Sequence, residues 1–232
     1  MTASHPSGQG KLSSFPFLTK AEFMGACHAF LDRIQAAGIE RVGWSSIRLQ
    51  RTGPALRISQ SFNKDCPQEN ALTPHVEIEH ALDSQLETCE EDPEALTRTF
   101  ESQETLQIDY DILLSPTYQV PVLYFILRRS DKLLGTDEVY SSLVLDHYKK
   151  NIQSVGIMGG ISFGYHPVSG TPAFFVHPCN TADAMRDIAD GHDISPETYL
   201  IIWLGLTGNC VRLRLPSELF ATAEIPENQR ME

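Results

Sequence analysis

The chain carries five cysteines, Cys27, Cys66, Cys89, Cys179 and Cys210, and one stands where a cysteine nucleophile would be built. A short apolar run, Ala173-Phe174-Phe175-Val176, reads as a buried strand and ends in His177-Pro178-Cys179-Asn180-Thr181. Pro178 restrains the backbone just ahead of the cysteine. Asn180 and Thr181 are both competent helix caps, and Met185 and Ile188 follow at apolar spacing, so a helix is predicted to begin there. A thiol at such a turn meets backbone N–H groups and the positive end of a helix dipole, which favour thiolate over thiol. The same N–H groups could stabilise a developing oxyanion. His177 can add positive charge or a hydrogen bond. The competing reading makes Cys179 a helix-start residue with no chemistry.

Other constellations are weaker. The cysteines are 39, 23, 90 and 31 residues apart, so none forms a zinc knuckle or a redox CxxC. Cys27 falls on the apolar stripe of a predicted helix and reads as a small core residue. His166 and His177 are separated by eleven residues, without an HExxH or an acidic ligand nearby in sequence, which does not make a zinc site. The glycine-rich segment from Gly156 to Gly170 lacks the GxxxxGK[ST] order and contains no lysine, so it reads as a connection or a loop beside a site, not a phosphate cradle. No cofactor and no metal are expected. A cysteine hydrolase pairing Cys179 with His166, His177 or His192 would need a papain-like or caspase-like local motif, and neither is present.

Charge narrows the partners. The 232 residues hold 18 bases and 30 acids, a formal net charge of −12, with 41% hydrophobic and 21% charged residues. No basic cluster exists to meet phosphates or an anionic membrane, which argues against nucleic acid and against docking on lipid through a basic patch. Residues 64 to 105 contain twelve acids against Lys64 and Arg98, so this segment carries −10 of the net −12 and the remainder is nearly neutral. It reads as a solvated acidic insertion. No apolar run reaches the roughly 18 residues of a membrane span, and the polar start from Met1 to Lys11 has no signal-peptide core. A cytosolic protein with reduced thiols and no stable membrane insertion is expected.

The elements that would position Cys179 follow from periodicity. Residues 1 to 14 read as a disordered arm, 15 to 220 as one domain and 221 to 232 as a polar tail. Thr19 and Glu22 have capping-box spacing, Phe23, Cys27, Phe30 and Ile34 form one helical stripe, and Gly38 is a stop. Trp44, Ile47 and Leu49, then Leu56, Ile58 and Phe62, flank a Gly53-Pro54 break and predict a hairpin. Ile108, Tyr110, Ile112 and Leu114 alternate as a strand, and Gln119 to Leu127 make a second, with Pro121 marking an edge or a bulge at its start. A helix is expected from Gly135 to Lys150, loop from 154 to 172, a buried helix after Ser195-Pro196-Glu197, and a last strand through Val211, Leu213 and Leu215. The fold class is α+β, an antiparallel sheet with helices packed on one face.

The block from Phe174 to Thr181 with Met185 resembles the active-site motif of the autophagy E2-like conjugating enzymes. Tyr118-Gln119-Val120-Pro121-Val122-Leu123-Tyr124-Phe125 resembles that family's central strand, and His166-Pro167 with Gly170-Thr171-Pro172 the loop before its cysteine strand. Tyr199, Trp203-Leu204, Gly208 and Leu213-Arg214-Leu215-Pro216 resemble its last helix and strand, so the likeness spans about 108 to 216. The resemblance implies an E2-like core and a Cys179 thioester. An E1-like enzyme (autophagy-related protein seven) would supply a ubiquitin-like protein (autophagy-related protein twelve), and a lysine of autophagy-related protein five would receive it. Work in the cytoplasm with recruitment to the autophagosome assembly site is the matching expectation. Ordinary ubiquitin E2 enzymes carry His-Pro-Asn upstream of the cysteine. Here Val168 follows His166-Pro167, so that Asn is missing, and His177, Asn180, Thr181 or backbone N–H groups are the replacements. For His177 the competing role is a strand-end residue capping a backbone carbonyl. Two other readings fit the same residues: a sister enzyme that transfers to phosphatidylethanolamine, and a non-catalytic E2-like adaptor.

Overall fold

Thr19 starts the first helix as its spacing predicts. Its Oγ1 accepts the Glu22 N–H at 3.2 Å, while the Glu22 carboxylate accepts the Thr19 N–H at 2.8 Å and the Ser13 N–H at 2.6 Å. Helix α1 runs Lys20–Ala37, buries Phe23, Cys27, Phe30 and Ile34, and ends at Gly38, whose φ of 86° suits glycine. The computed structural model describes residues 11–38, 43–50, 55–63, 105–144, 160–216 and 219. The Gly53-Pro54 break, the body of the acidic insertion with Cys66 and Cys89, Tyr148 and the polar tail lie outside the described residues. So do residues 1 to 10 of the expected arm. The four that follow are anchored: Leu12 is only 5% exposed, because it joins the core beside α1.

Among the described residues seven strands form one antiparallel sheet. In chain order they are β1 (Ser46–Leu49), β2 (Ala55–Asn63), β3 (Thr105–Leu114), β4 (Pro121–Arg129), β5 (Lys132–Leu133), β6 (Ile161–Tyr165) and β7 (Pro172–Val176). Their spatial order is β1-β2-β3-β4-β7-β6, with β5 on β4 as a short hairpin. Three further helices are α2 (Thr136–Leu143), α3 (Thr181–Ala189) and α4 (Pro196–Thr207).

Register sorts the side chains into rows that alternate between two faces. Ile58, Tyr110, Phe125 and Phe174 pair across β2, β3, β4 and β7, and all four are buried with the helix core. Phe23, Phe30, Tyr199, Trp203 and Leu204 meet them from α1 and α4. One residue along, Arg57, Asp111, Tyr124 and Phe175 form the neighbouring row on the opposite face. Helix α4 is apolar nearly all round and is the most buried of the helices, as its composition demands. Among the described residues no helix is long and apolar enough to cross a membrane.

Several elements differ from the periodicity. Within the stretch expected to be loop, Ile161–Tyr165 is strand β6, paired with β7 from Ile161–Val176 to Tyr165–Pro172. Its Gly164 lies beneath Phe175, where an added Cβ would come within 3.4 Å of the ring. Pro121 opens a central strand, not an edge. It pairs with Leu114 on one side, and β7 joins the other side only at Tyr124 and Phe125, so no ladder donor is missed. Helix α2 stops at Leu143 because Val144 turns to extended backbone (φ −87°, ψ 118°) and buries itself. Ile188, expected on the buried stripe of α3, is 51% exposed; Thr181, Ala184, Met185 and Ala189 face inward instead. The expected last strand is absent. A 3-10 turn at Gly208–Val211 and an αL residue, Arg212, fold the chain back so that Val211 and Leu213 are buried without ladder partners. The Leu213 N–H donates to the Gly208 carbonyl at 2.9 Å.

Candidate functional site

Strand β7 delivers His177-Pro178-Cys179 to the surface at the sheet's end. The His177 N–H donates to the Gly160 carbonyl at 3.1 Å, so β6 still guides the chain as it leaves the ladder. Pro178, Cys179 and Asn180 form one 3-10 turn, with proline at its first position, and α3 follows directly. Pro178 is buried beneath the turn and Cys179 is exposed on it.

The cysteine therefore sits inside a tight turn rather than ahead of a regular helix. Its N–H donates to His177 Nδ1 at 3.2 Å. The Thr181 N–H donates to the Pro178 carbonyl. These two donors hold the turn together. Because Nδ1 accepts, the proton of a neutral His177 belongs on Nε2, an assignment made from the hydrogen-bond pattern. Of the two expected roles, positive charge or a hydrogen bond, the geometry displays the hydrogen bond: the imidazole caps the turn. It caps a backbone N–H, where a carbonyl was the alternative expected. The ring packs edge-on to Tyr118, centroids 5.7 Å apart, and lies 6.2 Å from Phe175.

Asn180 occupies the position before α3 with φ −101° and ψ 0°, and its side chain makes no cap bond to the helix. Thr181 is buried at 3% and belongs to the inner side of the turn. His192 lies beyond the far end of α3, with Nδ1 against the Ala189 carbonyl at 3.0 Å. The helix rise of about 1.5 Å per residue separates it from Cys179 by more than 10 Å. His166 is buried at the opposite end of β7 from Cys179. Neither His166 nor His192 joins the thiol; of the three candidate partners only His177 stands beside Cys179, where its Nδ1 accepts the Cys179 N–H.

The other described cysteines are different in kind. Burial pushes the thiols of Cys27 and Cys210 up to about 12. Cys210 donates to the Thr207 carbonyl at 2.9 Å. Both are inert core residues. Among the described residues no three His, Cys, Asp or Glu side chains converge on a point that could hold a metal.

One cluster went unnoticed in the sequence. Asp111, 4% exposed, accepts from Arg57 Nε at 2.7 Å, from Arg57 Nη2 and from Gln50 Nε2 at 3.0 Å, and its Oδ2 lies 3.2 Å from His166 Nε2. Arg57 is raised above its usual range chiefly by the hydrogen bond to Asp111. Burial lowers the His166 pKa; the Asp111 charge opposes this and Arg57 assists it. The available signal was an arginine and an aspartate, each interrupting an apolar strand at the same parity.

Comparison with known proteins places the chain in a family. The family model of the autophagocytosis associated protein, active-site domain, matches residues 22–218. A "Ubiquitin-like-conjugating enzyme ATG10" of Gibberella zeae is 35% identical over 90% of this chain and 98% of its own length. The Homo sapiens protein of the same name is 31% identical over 60% of this chain and 61% of its own length. A crystal structure titled autophagic E2, Atg10, covers 83% of this chain and 94% of its own, at 13% identity and a TM-score of 0.47. With its active-site domain matched from Glu22 almost to the end of the described chain, the protein belongs to the autophagocytosis-associated family and is an autophagy E2-like conjugating enzyme.

Proposed function

We propose that Cys179 is the residue that carries the ubiquitin-like protein as a thioester. The observation behind this reading is that Cys179 is the exposed thiol among the described cysteines, set on a strand-to-helix turn, while Cys27 and Cys210 are buried. The Cys179 thiolate attacks the carbonyl of the ubiquitin-like protein's C-terminal glycine, held as a thioester on an E1-like enzyme, autophagy-related protein seven. The E1 thiol leaves and takes up the proton that Cys179 gave up. A lysine amine of autophagy-related protein five then attacks the new thioester. The C–N bond forms, the C–S bond breaks, and the amine proton passes to base or solvent as the Cys179 thiolate departs. The cargo is autophagy-related protein twelve. Sulfur suits both steps because it is a good nucleophile and a good leaving group.

The missing His-Pro-Asn asparagine is replaced by His177. Its Nδ1 is occupied by the Cys179 N–H, which directs Nε2–H outward as a donor for the oxyanion of the tetrahedral intermediate. Asn180 and Thr181 shape the turn. Incubation with the E1-like enzyme, ATP and the ubiquitin-like protein should give a thiol-sensitive adduct. Cys179→Ser should convert it into a thiol-resistant ester. An unchanged thiol-sensitive adduct on the serine variant would refute the assignment.

A further inference from the structure

Strand β7 carries Cys179 outward, yet its hold on the sheet is slight. β4 pairs with β3 along its whole length, Leu114–Pro121 to Leu106–Arg129, but with β7 only at Tyr124–Phe175 and Phe125–Phe174. Side chains must complete the seating. On the helix face Phe125 stacks on Phe174, centroids 5.7 Å apart. On the opposite face the task falls to His166, at the tip of the β6–β7 hairpin. Its N–H donates to the Thr171 carbonyl and its carbonyl accepts the Gly170 N–H, both at 2.8 Å. Its Nδ1 accepts the Val168 and Ser169 N–H groups at 3.3 and 3.2 Å. The ring proton therefore belongs on Nε2, which lies 3.2 Å from Asp111 Oδ2, a close polar contact outside hydrogen-bond geometry. From His166 a run of rings leads back to the thiol: Tyr124 at 5.2 Å, then Phe175 at 5.3 Å, then His177 at 6.2 Å.

We propose that Asp111 and His166 form a clamp that seats the β6–β7 hairpin on the central strands and so positions His177 and Cys179 for transfer. Both are positioning residues, since neither is at the thiol. A buried polar pair in close contact, Nε2 3.2 Å from Oδ2, favours one arrangement where two ladder pairs alone leave play, and small displacements of a reacting group are costly in rate. The kinetic part rests on Cys179 being the thioester carrier; the second readout does not.

His166→Asn keeps an acceptor near the Nδ1 position and drops the reach to Asp111, whereas His166→Gln keeps the reach. In single-turnover discharge of the charged enzyme, His166→Asn should slow the step about tenfold at unchanged acceptor KM, and His166→Gln should restore most of it. Adding Asp111→Asn to His166→Asn should slow discharge no further, because the contact to the hairpin is already gone, while loss of the Arg57 pair lowers stability alone. Hydrogen exchange at the Cys179 amide, measured on the uncharged protein, should rise in His166→Asn and not in His166→Gln. That readout needs no conjugation, so failure of the thioester assignment and failure of the clamp are told apart. Wild-type discharge and exchange in a His166→Asn protein that merely melts lower would overturn the clamp, as would additive slowing of discharge in the double variant. Tyr124→Leu cuts the run of rings without touching the buried charges. It must loosen the Cys179 amide too, and its failure to do so overturns the proposal even where His166→Asn is too unstable to assay.

Discussion

Two adjacent rows of side chains cross the same four strands and do opposite work. Ile58, Tyr110, Phe125 and Phe174 point at the helices, and each is 5% exposed or less. Arg57, Asp111, Tyr124 and Phe175 point the other way, and of these only Asp111 is fully buried. One residue of register separates them. The helix-facing row is held by area removed from water, which is insensitive to small displacements. The outer row is held by directional contacts and leads to His177 and Cys179. Stability and reactivity are thus assigned to opposite faces of one sheet, and substitutions should separate them.

The largest separation is at the thiol itself. Cys179→Ala should lower transfer by about a thousandfold or more, reduced to background in a gel assay of conjugate, while leaving Tm unchanged because the side chain is exposed. Cys27→Ala should do the reverse, retaining transfer per folded molecule at a lower Tm. Alkylation read peptide by peptide sharpens the contrast. With thiols near 12, Cys27 and Cys210 hold only about one part in ten thousand of thiolate at pH 8, so iodoacetamide should label Cys179 well before either.

Next comes the helix-facing row. Phe125, 1% exposed, packs between Tyr110 and Phe174. Phe125→Ala should cost about 3–5 kcal/mol in denaturant unfolding. If transfer per folded molecule then fell as far as it does for His166→Asn, the division of labour between the rows would be wrong.

Gly208 supplies a smaller, local effect. An alanine Cβ there would meet the Leu213 carbonyl oxygen at 2.3 Å, a backbone atom that cannot step aside alone. Gly208→Ala should cost about 2–3 kcal/mol and lower Tm by roughly 4–12 °C, measured by calorimetry, with Cys179 labelling unchanged.

The helix-facing row was largely legible in the sequence, and the outer row was not. Apolar alternation in β3 and the stripe of α1 are local signals, and burial follows them directly: Leu106, Ile108, Tyr110 and Ile112 are each 1% exposed or less. The cysteine turn was legible for the same reason, since strand, proline and cap residues are contiguous. Asp111 and His166 are 55 positions apart, and their meeting depends on a strand, β6, that glycines concealed. An edge strand with Phe163 63% exposed shows no clean alternation to detect. At the other end, Val211, Leu213 and Leu215 alternate as a strand would, yet Gly208 permits a close turn that buries the first two residues irregularly. Alternation reports which side chains are buried, and here backbone contact with α4 satisfied the pattern without a ladder.

The smallest effect tests whether the scaffold can be weakened without the site noticing. Burial acts to raise the Glu22 carboxyl. The Ser13 and Thr19 N–H groups and the Thr19 hydroxyl outweigh it, and the group is lowered from 4.5 to about 2. A group depressed in the folded state stabilises it above the unfolded value and stops doing so as pH falls through the folded one. Glu22 should therefore contribute in full above about pH 4.5 and lose its contribution between there and pH 2. Because the capping box is open to solvent, screening holds this to about 1 kcal/mol. Glu22→Gln keeps a capping-box geometry but does not titrate. Its stability should lose part of the acid slope over that interval in urea titrations. Exchange at the Cys179 amide should be the same in both proteins near neutral pH, because the box lies at the start of α1, on the helix side of the sheet, whereas His177 caps the Cys179 turn from the other. A Glu22→Gln protein with a loosened Cys179 amide would mean that the two faces are coupled through the core, and the setting of the Cys179 turn would then not belong to the outer face alone.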